Sequence, residues 1–409
     1  MSARDSLRKS TGQEYSRVAC LGNFAILQDY LAEKESFIWN IFYLLDVLLR
    51  GFSQVVLTNN PISGLLVVIS LGVSAPGELI FSSCAGFLGL LLSMLIRDSQ
   101  DDIANGLTVY NSVLVGAVSY VLIPTFYGAF DTFSILMTIL AVIFCVYIRR
   151  ALSTNKLPYT AWPLNLAEFT LLFVLYAENN GFGTIEKLQP IMGMDNATSD
   201  ATTGNVSFIG ENATRAHIDW GMVFHGIIVS ASQVLVVESV ITGTIVYLAA
   251  LLFSPITASF AFLGAFIGTL AGLILGVEIN EVYSGFWGYN AFLTGAALGG
   301  NLLVINGQTG VATIVAIMFT VVVQYFLLFF FRNLKIPVLS LPFVLVSSLF
   351  LKLCDNPGDK TFPRPPSASF PEKQRRDYIA TQCVLIQQTD EADESGDDKN
   401  QKDFSVLNV

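Results

Sequence analysis

Polar and apolar positions along this chain fall into long blocks rather than a short alternation. No Asp, Glu, Lys or Arg occurs from Val282 to Phe331, and none from Ser239 to Val277. A helix crosses a hydrocarbon core with about 20 apolar residues, so these runs hold several spans. Continuous apolarity argues against a transmembrane barrel, whose strands alternate. The pattern predicts apolar segments at 37–58, 62–73, 78–96, 107–125, 131–148 and 162–178, with six more in the second half. The segment 62–73 is too short to span. The expected fold is an all-α polytopic membrane protein, with about ten transmembrane helices and two re-entrant helices around one pore.

The blocks also repeat. "GLTVYNSVLVG" (106–116) returns as "GFWGYNAFLTG" (285–295), at an offset of 289 − 110 = 179 residues. The same offset carries Ser53-Gln54-Val55 onto Ser232-Gln233-Val234, Gly64 onto Gly243, Pro76 onto Pro255, Pro158 onto Pro337 and Pro163 onto Pro342. The register runs without a gap from 53 to 163. Matches among apolar residues come cheaply by chance, but matches at Gln, Asn, Tyr and Pro in one register do not. A duplication follows.

Charge then orients the halves. Only 13% of residues are charged and the mean hydropathy is +0.59, against roughly 25% charged in soluble domains. Residues 1–36 are basic (Arg4, Arg8, Lys9, Arg17) and are expected in the cytosol. A first membrane repeat spans 37–178. The polar loop 179–218 carries the sequons Asn196, Asn205 and Asn212, which point to an extracellular, glycosylated segment. A second membrane repeat spans 219–353, and 354–409 is an acidic tail, expected to be disordered and cytosolic. A cytosolic start and an outside loop require an odd number of crossings, so the second repeat is inverted. Arg149, Arg150 and Lys156 then fall inside, while Arg332 and Lys335 fall outside against the usual bias. The net charge of −10 comes largely from 390–398, a solvated run that gives no support to nucleic-acid binding. The five cysteines are scattered and read as free thiols.

Inverted repeats build a pathway where broken helices meet near the membrane midplane. Proline supplies such breaks: Asn59-Asn60-Pro61 ends one apolar run and opens the next, and Pro163 and Pro342 interrupt the last segment of each half. The acids and bases within the membrane are few: Asp46, Arg50, Glu168, His225 and Glu238. None recurs at the offset, whereas Gln54/Gln233, Tyr110/Tyr289 and Asn111/Asn290 do. An uncharged polar solute, which needs hydrogen bonds rather than counter-charges, fits that pattern. Asp46 and Arg50, four apart, suit a local salt bridge, Glu168 a buried acid paired with a neighbour, and the repeated glycines close helix packing. His217 and His225 form no metal-ligand cluster. With no nucleophile–base set and no phosphate loop, neither an enzyme nor a cofactor is expected.

"LLRGFSQVVLTNNPISG" (48–64), the two Tyr-Asn motifs, "LPYTAWPLN" (157–165) and "IPVLSLPF" (336–343) together resemble the urea transporter family, in its animal branch, over about 45–353. The resemblance implies a channel-like facilitator of passive urea flux in the plasma membrane, a homotrimer with one pore per subunit. Aromatic slots would grip the flat faces of urea while fixed oxygens accept its N–H groups. By the same resemblance Gln54 and Gln233 line the two mouths. Tyr110 and Tyr289 form slot walls, and Leu114 and Leu293 narrow them. Asn111 and Asn290 tie backbone together. The chain departs from the family where each proline-bounded segment would carry a central threonine: Ala161, with Thr160 beside it, and Ser340 stand there. Leu57 and Val236 replace an aromatic facing the slot, and Asn59-Asn60-Pro61 becomes Glu238-Ser239-Val240. These departures bear on selectivity among urea, its analogues, ammonia and water. The competing functions are an ion-coupled transporter, with Glu168 or Glu238 as coupling acid, and a channel for ammonia or a urea analogue.

Overall fold

The apolar blocks are helices. The computed structural model describes residues 20–34, 36–128, 130–153, 160–179, 218–334, 336–354, 361–365 and 369–383, and no strand occurs among the described residues. The first half holds α1 (Ala25–Ala32), α2 (Phe37–Gln54), α3 (Pro61–Ser74), α4 (Pro76–Leu95), α5 (Gln100–Ala104), α6 (Tyr110–Tyr127), α7 (Thr132–Ser153) and α8 (Trp162–Asn179). The second holds α9 (Trp220–Gln233), α10 (Val240–Phe253), α11 (Pro255–Ile274), α12 (Ile279–Tyr283), α13 (Tyr289–Ala296), α14 (Gly307–Leu334) and α15 (Leu341–Phe350). The three sequons and His217 lie outside the described residues.

The sequence repeat is a structural repeat. Shifted by 179 residues, the bounds of α3, α4 and α5 become those of α10, α11 and α12. Backbone exceptions recur at the same offset: Leu57 and Val236 both have φ 60°, and Gly106 and Gly285 have φ 68° and 79°. The caps explain where the helices start. Asn60 Oδ1 accepts from Ile62 N (2.8 Å) and Ser63 N (3.3 Å), with Pro61 at the first helical position. In the second half Ser239 Oγ accepts from Thr242 N at 3.3 Å. The change from Asn-Pro to Ser-Val thus keeps the cap and gives up only the proline. Pro163 and Pro342 likewise open α8 and α15, at their second residues, rather than interrupting them.

Glycines set how closely the helices approach. A Cβ on Gly64 would sit 1.9 Å from Leu49 O, and one on Gly243 2.2 Å from Ile228 O, the equivalent carbonyl. The halves meet through α3 and α10. Ser63 Oγ, early in α3, donates to Ala249 O late in α10 (2.8 Å), and Ser74 Oγ, at the end of α3, meets Thr242 Oγ1 near the start of α10 (2.5 Å). The twinned helices therefore run antiparallel.

Among the described residues five helices are long and apolar enough to cross a membrane: Pro76–Leu95, Tyr110–Tyr127, Thr132–Ser153, Pro255–Ile274 and Gly307–Arg332. The 14 residues of α3, which covers the segment expected to be too short to span, and of α10 rise about 21 Å, short of the ~30 Å core. The second partner of α6 is also broken: α13 stops at Ala296 and passes into a π-turn, Ala297–Asn301, where Gly300 takes φ 119°.

Described parts of both terminal segments pack on the helices. Leu21 N donates to Leu252 O (2.8 Å) and Arg50 Nη1 to Asn23 O (2.9 Å), so the stretch before α2 is fastened to both halves. Residues 371–383, inside the segment expected to be disordered, form a helix, α16. It holds because Glu372 Oε1 accepts from Ser254 Oγ (2.9 Å) and Ile256 N (3.1 Å), capping α11 from outside.

Candidate solute pathway

A cavity of about 190 Å³ lies between the halves. Its walls come in twins: Gln54 with Gln233, Val55 with Val234, Leu57 with Val236, Tyr110 with Tyr289, Leu114 with Leu293, and Leu164 with Phe343. Thr160, Ala161 and Ser340 complete its middle. Every residue that the sequence placed along a pore borders this one space. A second cavity of about 320 Å³ continues from it on the Gln54 side, sharing Gln54, Leu57, Tyr110 and Thr160.

The positioning interactions repeat as well. The Tyr110 hydroxyl donates to Thr160 O, and the Tyr289 hydroxyl to Leu339 O. Asn111 Nδ2 reaches Thr160 O at 3.4 Å and Asn290 Nδ2 reaches Leu339 O at 3.3 Å, so the asparagines do hold backbone. Gln54 Nε2 donates to Asn105 O (3.2 Å), Gln233 Nε2 to Ser284 O (2.8 Å). Each helix that delivers a glutamine leaves through a left-handed residue. Behind Leu57, Thr58 N donates to Ser53 O (3.1 Å) and Ser53 Oγ to Thr58 O (2.7 Å). Behind Val236, Val237 N donates to Ser232 O (3.3 Å). Left-handed φ is uncommon outside glycine, and such strain persists where the surroundings fix it. Here it turns Leu57 and Val236 onto the cavity wall.

The middle is less symmetric. Ala161 has no side-chain oxygen, but Thr160 lines the same space, and its Oγ1 is buried without a partner. Thr160 thus stands beside the position that lacks an oxygen, with its own hydroxyl buried. Opposite it, Ser340 Oγ accepts from Asn165 Nδ2 at 2.9 Å, a bond that joins the starts of α8 and α15 across the two halves.

The ionisable residues sit elsewhere. Arg50 Nε pairs with Asp46 Oδ2 at 2.8 Å inside one helix. Glu168 is fully buried and accepts from Ser119 Oγ at 3.0 Å. Glu238 is exposed. His225 Nδ1 donates to Tyr283 O (3.0 Å). None of these five borders the 190 Å³ cavity.

Sequence reasoning missed several wall residues. Val55 and Val234 stand inside the repeated Ser-Gln-Val triplet, a usable signal. Phe286 lies within a quoted motif, and its ring packs at 5.7 Å from that of Tyr289. Its twin is Leu107, so no repeated aromatic marked it. Leu164, Phe343, Val118 and Leu122 are apolar helix positions like many others, with nothing local to single them out.

The family model described as "Urea transporter" matches residues 45–354. Among curated proteins, Urea transporter 1 of Rattus norvegicus is 26% identical over 353 residues, covering 85% of this chain and 86% of the relative. Urea transporter 1 of Mus musculus is 25% identical over 354 residues, with the same coverage, and that of Ovis aries 27% over 347 residues, covering 84% and 85%.

Proposed function

The chain belongs to the urea transporter family, and we propose that it lets urea cross a membrane passively, down its own gradient, between its two halves. The observation that carries the reading is the wall itself. Both repeats turn their glutamines, tyrosines and leucines onto one space, and among the described residues no Asp, Glu, Lys, Arg or His lines its 190 Å³ part. Urea is planar and neutral, with four N–H donors and one strong acceptor. Amide, hydroxyl and carbonyl groups replace its lost water, while apolar side walls keep each site weak enough to leave. Tyr110 and Tyr289 flank the narrow parts, Leu114 and Leu293 lie one helical turn beyond them, and Thr160 and Ser340 supply the central hydroxyls.

The two halves are inverted across the bilayer in this reading, which the antiparallel packing of α3 on α10 supports. Both termini then face the cytosol of a plasma-membrane protein, with 179–218 outside and Asn196, Asn205 and Asn212 open to glycosylation. The homotrimer follows from family resemblance. An ion-coupled mechanism is not favoured, because Glu168 and Glu238 lie off the cavity. Urea flux into vesicles carrying the purified full-length protein tests the reading. Gradient-driven urea entry should appear, fall several-fold in Gln54→Ala and Ser340→Ala, and be indifferent to imposed pH or sodium gradients. Uphill accumulation driven by either gradient would overturn it. Thiourea and ammonia in the same assay fix the selectivity.

A further inference from the structure

We propose that Gln324, which borders neither cavity, is a positioning residue: it fixes the aromatic slot on the Gln233 side, and so makes that slot the part of the pathway that rejects solutes thicker than a flat amide. The proposal rests on the reading above and assigns its selectivity to one residue behind the wall. Gln324 lies in α14 and is fully buried. Its amide is bonded at both ends. Nε2 donates to Phe286 O (2.9 Å), and Oε1 accepts from Asn290 Nδ2 (3.1 Å). The partners fix which atom is which, because Phe286 O can only accept and Asn290 Nδ2 also donates to Leu339 O (3.3 Å).

The bonds run on to the cavity wall. Leu339 O also receives the Tyr289 hydroxyl, and the Phe286 ring packs on that of Tyr289 at 5.7 Å with 47° between their planes. Phe286, Tyr289 and Leu339 all line the 190 Å³ cavity. A glutamine outside the cavity therefore ties its two neighbouring rings to the backbone opposite them. One turn earlier on α14, Thr320 adds a second rung. Its Oγ1 meets Thr294 Oγ1 at 2.8 Å, and Thr294 Oγ1 donates to Asn290 O at 3.0 Å. Hydrogen bonds between helices help to fix their packing within a membrane. Here the rungs fall on the shorter of the twinned helices, since α13 has 8 residues and α6 has 18.

The first half is built without this brace. At the 179 offset Gln324 becomes Cys145, Thr320 becomes Ala141, Thr294 becomes Val115 and Phe286 becomes Leu107. Leu107 O is held instead by Arg149 Nε (3.1 Å). That bond does not extend to Asn111, whose Nδ2 has only Thr160 O as a partner among the described residues. The Tyr110 slot thus has no second ring from the twin of Phe286, and nothing links the 107 carbonyl to the asparagine. Two rings held at a fixed spacing pass a planar solute edge-first. They clash with a methyl group, whose hydrogens stand out of that plane, and a close-packed wall does not give way to it.

The test reads urea and N-methylurea permeabilities by stopped-flow light scattering, on vesicles carrying the full-length protein. Gln324→Met, of similar volume but without an amide, should lower the ratio of urea to N-methylurea permeability about three- to tenfold, within what a single methyl group decides in a fixed pocket. Gln324→Asn, too short to make both bonds, carries the same expectation if the first variant does not fold. Phe286→Leu, which copies Leu107, should lower the ratio too, and the double variant should fall by less than the product of the two effects. Cys145→Ala, the matching site in the first half, should leave the ratio at its wild-type value. A ratio unchanged at Gln324, an equal fall in Cys145→Ala, or effects that simply multiply in the double variant overturn the proposal while leaving urea conduction intact. A wild-type protein that carries no urea overturns the functional reading and this one with it.

Discussion

The two halves share one backbone plan yet secure the same corner with different charges. In the first, Arg149 is 1% exposed and bonds both Asp98 and Asp102 at 2.9 Å, and Arg150 adds a second contact to Asp98 at 2.7 Å. In the second, the partners of Asp98 and Arg149 at the 179 offset are Val277 and Leu328. Only the acid at 281 survives, paired with exposed Arg332 at 2.6 Å and with Trp287 Nε1 at 3.0 Å. The comparison teaches that the fold needs caps, glycine contacts and left-handed turns, which both halves keep. It does not need a particular charge network. Arg149 and Arg150 entered the sequence reading as topology signals, yet in the structure they are buried or half-exposed fasteners.

The largest effect expected from breaking this comparison is at Arg149. Arg149→Leu removes the buried cation that Asp98 and Asp102 share, leaving Asp98 with Arg150, and should destabilise the protein by about 3–5 kcal/mol. Arg332→Leu, at an exposed pair, should cost about 0–1 kcal/mol. Thermal unfolding in detergent measures both. Adding Asp98→Val to Arg149→Leu copies the second half, and should recover part of the loss; no recovery would mean that the network does more than neutralise itself.

Next in size are the shared contacts. Gly64→Ala and Gly243→Ala each drive a Cβ into a helix carbonyl, so each should cost roughly 1–3 kcal/mol, by a similar amount in both halves. A loss confined to one half would show that the repeats pack with different tightness.

The smallest effect is a pH dependence present in one half only. Asp131 accepts from Ser134 N and Ser134 Oγ, both at 2.9 Å, ahead of α7. The Ser134 backbone N–H, foremost, holds its carboxyl below the usual range. A lowered folded-state pKa stabilises above the unfolded pKa, and that contribution disappears as pH falls through the folded value. Ahead of α14 the cap is neutral: Asn306 Oδ1 accepts from Thr309 N at 2.8 Å. Protection of the Ser134 amide, measured against its intrinsic exchange rate, should therefore fall in acid, while Thr309 shows no such step. Asp131→Asn should abolish the difference.

Much of this molecule was readable before any coordinates. The offset of 179, the polar pairs riding on it and the helix that opens at Pro61 came from residue identity, because backbone exceptions and caps tolerate few side chains. The Asp46–Arg50 bridge followed from helical spacing alone. Other features were decided only by tertiary structure. Whether Thr160 could stand in for a missing hydroxyl at Ala161 depended on where the start of α8 lay against α15. Phe343 and Leu164 became walls because two helix ends meet there, and apolar residues carry no local mark of which neighbour they face. The tail offered composition and charge, which indicate solvation. That Glu372 finds the first turn of α11 and Gln374 the wall of the second cavity depends on contacts between residues more than 100 positions apart. Local chemistry thus wrote the helices and their pairing, and long-range packing alone determined which of their faces enclose the space between them.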